Sequence, residues 1–527
     1  MTDWWRGSTI YQIYPRSFYD SNDDGVGDLR GIISKLDYIK DLGVDGIWLS
    51  PFFSSPMKDF GYDICDYKDV DPLFGTLDDF DQLICEAHAR GLKVIIDQVY
   101  SHTSNQHPWF EESRSGSDNP KSDWYIWADA KPDGTPPNNW LSVFGGPAWT
   151  WDAIRQQYYL QNFLSEQPDL NFHHPEVRKA ILEVATFWLD RNVDGFRLDV
   201  ANFYYCDQDL RDNPVAKSTE DAKRPYDHQH HLYDRSRPET LLFLEEFRAL
   251  LDRYSDRMSV AEIFSDDPLT RSQEYTAPNR LHTAYNFFLL DDGPLTPQLI
   301  KTAVKAWDKS DNCPSWSFSN HDVIRAATRW GPGDTPPTFS QMLMGLLLSL
   351  PGTIFLYQGE ELGLPHADVP YHLLQDPEGI RFWPDSLGRD GCRTPMPWKE
   401  NALNAGFSAA KPWLPVDPRH NKLAIDVQDN DQASTLNRAR IMIGLRRSSD
   451  ALKYGTIEFL ETPDPILAFK RKWKNQIYCC IFNLGANAET LKLMQPGRVI
   501  NTGLVSDHHG DKITLAPFGG AIIDETN

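Results

Sequence analysis

The run Val193-Asp194-Gly195-Phe196-Arg197-Leu198-Asp199 decides the architecture, because of what precedes it and how it ends. Before it, Val177, Ile181, Val184 and Trp188 recur at helical spacing, and the helix stops near Asn192. After the stop comes a short apolar strand that finishes on a carboxylate. The same unit appears twice upstream. Leu29, Ile32, Ile33, Leu36 and Ile39 line one helix that ends at Gly43 and leads into Gly46-Ile47-Trp48-Leu49, so that Val44-Asp45-Gly46-Ile47 echoes Val193-Asp194-Gly195-Phe196. Thr76 and Asp79 form a capping-box-like pair ahead of Phe80, Leu83, Ile84 and Ala87; Gly91 ends that helix and Val94-Ile95-Ile96 follows.

Helices alternating with continuously apolar strands describe a parallel sheet covered by helices on its faces. Further candidate strands at 9–14, 258–262, 282–289, 315–319 and 353–357 bring the number to eight, which predicts a (β/α)8 TIM barrel of class α/β. Asp97, Asp199, Glu262 and the His321-Asp322 pair fall at or just past the C-terminal strand ends, the face on which such barrels build active sites. The alternation stops after His102, in a stretch rich in Trp, Pro, Asn and Gly, which reads as an inserted subdomain walling the cleft. Past about residue 450 short β segments take over, such as Ile466–Phe469 and Gln476–Phe482. The expected division is a barrel at 1–102 and 173–448, an inserted subdomain at 103–172, and a C-terminal antiparallel β domain at 449–527.

The 527 residues carry a formal net charge of −23, which opposes binding to phosphate backbones or anionic lipid and argues against nucleic-acid and membrane partners. The opening Met1-Thr2-Asp3-Trp4-Trp5-Arg6 lacks the pattern of a secretory signal, and Met342–Leu350 is only half of a membrane span. The seven cysteines show no metal-ligand spacing and suit a reducing compartment. These features together predict a cytoplasmic protein.

Three carboxylates at strand ends suggest acid–base or carboxylate-nucleophile chemistry. Arg197 stands two residues before Asp199, on the same strand face, where its guanidinium keeps a nucleophilic carboxylate ionised. Glu262 emerges from the apolar Ser259-Val260-Ala261, where desolvation holds a general acid protonated. One ionised and one protonated carboxyl is what glycosidic cleavage with retention requires. A structural Arg197–Asp199 salt bridge accounts for the same spacing equally well.

Five stretches in order resemble glycoside hydrolase family 13, the α-amylase family, within it the oligo-1,6-glucosidase and α-glucosidase group. They are Asp97-Gln98-Val99-Tyr100-Ser101-His102, Gln167-Pro168-Asp169-Leu170-Asn171, Gly195-Phe196-Arg197-Leu198-Asp199, Ala261-Glu262-Ile263 and Ser319-Asn320-His321-Asp322. The resemblance implies Asp199 as nucleophile, Glu262 as acid and base, and Asp322 as the third carboxylate, binding sugar hydroxyls. It implies that His102 and His321 hold hydroxyls, with Asp59, Tyr62 and Arg389 closing the pocket behind a single glucose so that chains are attacked from their ends. Arg393 is expected to support Asp63. Phe144 and Phe163 are candidate apolar walls, with core packing as the rival reading; His107, His173 and His174 are read as structural.

Asp20-Ser21-Asn22-Asp23-Asp24-Gly25 opens like an EF-hand loop, but Gly31 stands where the bidentate Glu belongs. The resemblance implies instead one structural Ca²⁺ or Mg²⁺ ringed by Asp20, Asn22, Asp24, the Val26 carbonyl and Asp28, with no organic cofactor. Val200 after the nucleophile accompanies α-1,6 cleavage in the resembled group, whereas Gly388 to Trp398 also resembles enzymes of α-1,4 preference. Short oligosaccharides or glucosides are the expected partners of a monomer or homodimer. Glucosyl transferases and isomerases acting on sucrose, maltose or trehalose use the same carboxylates and form the alternative. The apolar Tyr285-Asn286-Phe287-Phe288-Leu289-Leu290 lacks a charged isomerase signature.

Overall fold

The computed structural model describes residues 3–218, 224–291, 293–307, 312–333, 335–493, 495, 497–504 and 506–526. Eight parallel strands form its centre: β1 (Thr9–Ile13), β2 (Gly46–Leu49), β3 (Lys93–Gln98), β4 (Gly195–Leu198), β5 (Met258–Ile263), β6 (Thr283–Asn286), β7 (Ser315–Trp316) and β8 (Thr353–Tyr357). They are hydrogen-bonded in the order β6-β5-β4-β3-β2-β1-β8-β7. The remaining seam, between β6 and β7, is bridged by Thr283 Oγ1 donating to the Cys313 carbonyl at 2.9 Å. This is the expected barrel. The period of two sorts its side chains into two cores. Ile10, Trp48, Ile95, Val260, Tyr285 and Phe355 cluster inside, while Tyr11, Ile47, Val94, Ile96, Phe196 and Leu198 pack outward with the helices.

The helix Leu77–Ala89 starts at the full Thr76/Asp79 capping box and buries Phe80, Leu83, Ile84 and Ala87. Truncating a ring such as Phe80 in this core costs about 3–5 kcal/mol. Pro175–Asp190 buries Val177, Ile181, Val184 and Trp188, and Asn192 takes the left-handed φ of 65° that stops it.

Three expected elements differ. The sixth strand stops at Asn286, where Phe287–Leu289 turns into a 3-10 helix. The first helix breaks into Leu29–Ser34 and Leu36–Leu42; Lys35, between them at φ −111° and ψ 5°, lays its ammonium over the rings of Tyr19 and Trp398 at 3.9 and 4.4 Å. The seventh strand ends at Trp316 rather than at 319. There, Ser317 Oγ donates to the Ser319 carbonyl and Ser319 Oγ accepts from the Ala326 amide at 3.0 Å, so local side-chain bonds turn the chain out of the ladder.

Between β3 and Pro175–Asp190 lie the helix Pro108–Arg114 and a three-stranded antiparallel sheet with Gln157–Leu160 between Trp127–Ala128 and Trp149–Asp152. Beyond Gly455 come a five-stranded antiparallel sheet and a three-stranded one. Among the described residues no helix is long and apolar enough to cross a membrane, and all seven cysteines are free thiols.

Candidate active site

Strand register brings the charged residues together before any loop is considered. Asp97 on β3 is the direct partner of Arg197 on β4, and Glu262 on β5 is the direct partner of Tyr285 on β6. Arg197 is fully buried and serves three carboxylates. Its Nη1 reaches Asp97 and Asp199 at 2.7 Å each, and its Nη2 reaches Glu262 at 2.6 Å. The Tyr285 hydroxyl accepts from Arg197 Nε at 3.1 Å and donates to Glu262 Oε1 at 3.1 Å. The Val200 amide donates to Glu262 Oε2 at 3.2 Å.

One cation facing three carboxylates leaves the cluster short of positive charge, so the acids hold protons. Burial pushes Asp97 up to about 6. Burial, against the pull of Arg197, pushes Asp199 and Glu262 each up to about 7. The sequence reading gave Arg197 to Asp199 and desolvation to Glu262; in the structure the guanidinium and the burial are common to both. The pair titrates jointly, one member keeping a proton near neutrality. Asp322 differs. Burial opposes its ionisation, yet the guanidiniums of Arg393 and Arg389 face it and hold it well below the usual carboxylate range.

His321 fixes the floor beside Asp322. Its Nδ1 accepts from Gln12 Nε2 at 2.8 Å, which leaves the proton on Nε2, 3.2 Å from Asp322 Oδ2. Burial drives its pKa well below the ordinary value, so the ring is neutral. Tyr62 stacks on it with ring centroids 5.3 Å apart and donates to Asp97 Oδ2 at 3.1 Å. The loop presenting Asp59 and Tyr62 takes left-handed φ at Met57 and Phe60, 62° and 52°, a strain of about 1–3 kcal/mol per residue of the kind that collects at functional sites.

Arg389 closes the opposite end. Its Nη2 donates to Asp59 and to Asp376 at 2.7 Å each, and its Nη1 lies 3.5 Å from Asp322. Gln167 Nε2 donates to Asp59 Oδ2 at 3.1 Å. Burial lowers the His102 pKa to about 4; the neutral ring directs Nε2 at the Tyr62 carbonyl, 3.0 Å away, and receives Ser101 Oγ at Nδ1. Phe144 lies under the Arg389 guanidinium at 4.8 Å and against Phe163 at 5.6 Å. Both rings join Val200 and Phe203 in one apolar cluster, the core packing that was the rival reading for them. Val200 itself is left-handed at φ 32°.

Arg393 corrects an expectation. It donates to the His321 carbonyl at 2.7 Å and to Asp322 Oδ1 at 2.8 Å, while Asp63 is satisfied by Ser55 and the amides of Lys58 and Asp59. Tyr285, Asp376 and Gln12 were not singled out as site residues, and Asp97 was placed on the catalytic face without a role. Asp97 had a usable signal, a carboxylate ending an apolar strand; Asp376 sits in an irregular segment with none. His107 and His174 are helix N-caps, accepting from the amides of Trp109 and Glu176, as their structural reading implies.

The loop Asp20–Asp28 offers only oxygen donors, the chemistry a hard cation prefers. Asp20 accepts from the amides of Asn22, Asp23 and Gly25 at 3.0, 2.8 and 2.7 Å, and Asp24 from that of Val26 at 2.8 Å. Asp28 caps the helix Leu29–Ser34 through the Gly31 amide at 2.7 Å. Among the described residues no group of three or more His, Cys, Asp or Glu side chains converges as an ion cage, so an ion there draws on the second lone pairs of oxygens already tied to the loop's own amides.

The family described as alpha amylase, catalytic domain, matches residues 12–455. The chain belongs to the α-amylase family. It is 50% identical to a probable alpha-glucosidase of Rhizobium meliloti strain 1021, over 98% of this chain and 96% of that protein. It is 38% identical to an oligo-1,6-glucosidase of Heyndrickxia coagulans, over 94% of each. A solved alpha-glucosyl transfer enzyme is 51% identical and superposes with a TM-score of 0.96, covering 99% of this chain and 100% of that one. This family member is therefore a glycoside hydrolase, and its strand-end carboxylates occupy the face its barrel reserves for chemistry.

Proposed function

We propose that the protein is a retaining, exo-acting α-glucosidase that releases glucose from the non-reducing end of short α-glucosides of the isomaltose or maltose type. The observation that carries this reading is the single buried guanidinium of Arg197 joining Asp199 to Glu262. It holds the two carboxyls on one cation, an arrangement that supports the short separation of a retaining pair. The Asp199 carboxylate attacks the anomeric carbon while Glu262 protonates the departing oxygen. A covalent glucosyl ester forms on Asp199. Glu262, now a carboxylate, takes the proton of the incoming water, and the ester breaks. Asp322, held ionised, lies where it stabilises the positive charge of the oxocarbenium-like transition state. Tyr62, His102 and His321 bind the same glucose, and the Asp59–Arg389–Asp376 chain closes the pocket beyond it, which accounts for exo attack.

The likeness to an α-glucosyl transfer enzyme favours a second outcome for the same ester, transfer to sugar or alcohol hydroxyls. We assign the loop of Asp20, Asn22, Asp24, Val26 carbonyl and Asp28 to one structural Ca²⁺ or Mg²⁺, which braces the turn after β1 and takes no part in the reaction. The test is the initial rate of glucose release from maltose and isomaltose, with Asp199→Asn as blank. A folded Asp199→Asn variant that turns over at near the parent rate refutes the mechanism. Silence of the parent on both sugars moves the assignment to a transferase or isomerase, with sucrose and trehalose next.

A further inference from the structure

Arg224 lies in the segment after β4, and Glu378 in the short helix Pro377–Phe382 after β8. They are 154 residues apart in the chain, yet Arg224 Nη1 and Glu378 Oε1 stand 3.5 Å apart with both side chains mostly covered, 21% and 16% exposed. Each partner is fixed from behind. Asp227 holds the Arg224 guanidinium at 3.1 Å, and the ring of Phe264, two residues beyond Glu262, lies 5.7 Å from it. Glu378 is two residues from Asp376, which caps the same helix and binds Arg389 through Nε at 2.9 Å. The charges that reach the Glu378 carboxyl include those of Arg224, Arg389, Asp376 and Asp322. The ion pair therefore ties the wall beside the general acid to the wall that carries Arg389.

We infer that Arg224 is a specificity-determining residue on the leaving-group side of the site, which sets how the glucosyl enzyme divides between water and a sugar acceptor. This rests on the function proposed above. The pair is mostly covered but stands at 3.5 Å, longer than a close charge-assisted contact, so a sugar hydroxyl can compete for either partner. Joined, it narrows the approach to the ester. Parted, it offers a guanidinium and a carboxylate to the hydroxyls of a second sugar, charged partners that strengthen such hydrogen bonds. Water needs neither. In both outcomes the bond from the anomeric carbon to Asp199 breaks, the incoming oxygen bonds that carbon, and its proton passes to the Glu262 carboxylate; only the source of the oxygen differs.

The experiment uses the full chain, p-nitrophenyl α-D-glucoside as donor and cellobiose as acceptor. Nitrophenol counts the glucosyl enzyme formed, free glucose counts hydrolysis, and the difference is transfer. In Arg224→Ala the transfer-to-hydrolysis ratio is expected to fall at least five-fold, and in Arg224→Lys less. The cellobiose concentration for half-maximal transfer is expected to rise in Arg224→Ala by more than the KM for the nitrophenyl donor, a split that a merely structural loss does not produce. A ratio within two-fold of the parent in folded Arg224→Ala, or a cellobiose half-saturation that rises no more than the donor KM, overturns the inference. No nitrophenol release by the parent, or equal release by Asp199→Asn, overturns the underlying function instead.

Discussion

Replacing Asp97 by Asn removes one charge from the Arg197 cluster while keeping a side chain of the same shape. Asp97 Oδ1 and Asp199 Oδ1 each lie 2.7 Å from the same Arg197 nitrogen, so the two oxygens are separated by at most twice that distance. At an effective dielectric of about 20, unit charges that close repel by about 3 kcal/mol, equivalent to about two pH units in the Asp199 pKa. Both groups are almost fully covered, so solvent screening takes little of this away. The sign follows directly. Asp97 now raises the pKa of Asp199 and shares mutual repulsion with Glu262; its loss lets both ionise at lower pH. In the proposed mechanism Asp199 must be ionised and Glu262 protonated, so both limbs of the pH profile should move acidward. The effect is fullest above about pH 6, where Asp97 itself carries its charge. The assay is kcat/KM for a chromogenic α-glucoside from pH 4 to 9, with circular dichroism to confirm folding. A displacement of one to two pH units toward acid is expected. A folded variant whose profile stays within about 0.3 unit of the parent refutes the shared-cation account.

Tyr62→Phe removes the hydroxyl that donates to Asp97 and contacts His321; a hydrogen bond to a charged group is worth about 1.5–3 kcal/mol, so kcat/KM should fall roughly 10- to 150-fold with folding retained. Val200→Thr places a hydroxyl beside Glu262 and should raise the maltose-to-isomaltose rate ratio, read from initial rates on both sugars; an unchanged ratio removes Val200 as a linkage determinant. Chelation with EDTA should lower the melting temperature, with recovery on adding Ca²⁺ or Mg²⁺, and Asp20→Ala should abolish that response; a parent indifferent to chelator has no ion in the loop. Carboxyls whose folded pKa is raised, Asp97, Asp199 and Glu262, favour the folded state most below pH 4 and lose that contribution as pH rises through about 6 to 7. Asn or Gln at these positions should therefore flatten the decline in melting temperature between pH 5 and 8.

Local periodicity made the barrel legible. The apolar runs at 94–96 and 195–198 with their helices could sit nowhere but in a parallel sheet, and a carboxylate at a strand end has to emerge at the catalytic face. Asp97, Asp199 and Glu262 were placed by chain chemistry alone, because strand direction and side-chain alternation are local properties; Asp322 lies in the irregular turn after Trp316 and followed from the family resemblance. Pairing was not. Register set Asp97 against Arg197 and Glu262 against Tyr285, and so turned an expected two-residue salt bridge into one cation serving three acids. Arg393 finds Asp322 rather than Asp63, Arg389 finds Asp376, and Arg224 finds Glu378 across 154 residues. These contacts depend on how irregular segments between strands return over the barrel mouth, and no period in the chain encodes that path. Residue type and spacing alone put Asp97, Asp199 and Glu262 at the catalytic face; the closed barrel and its loops decided which other groups join them and which share a charge.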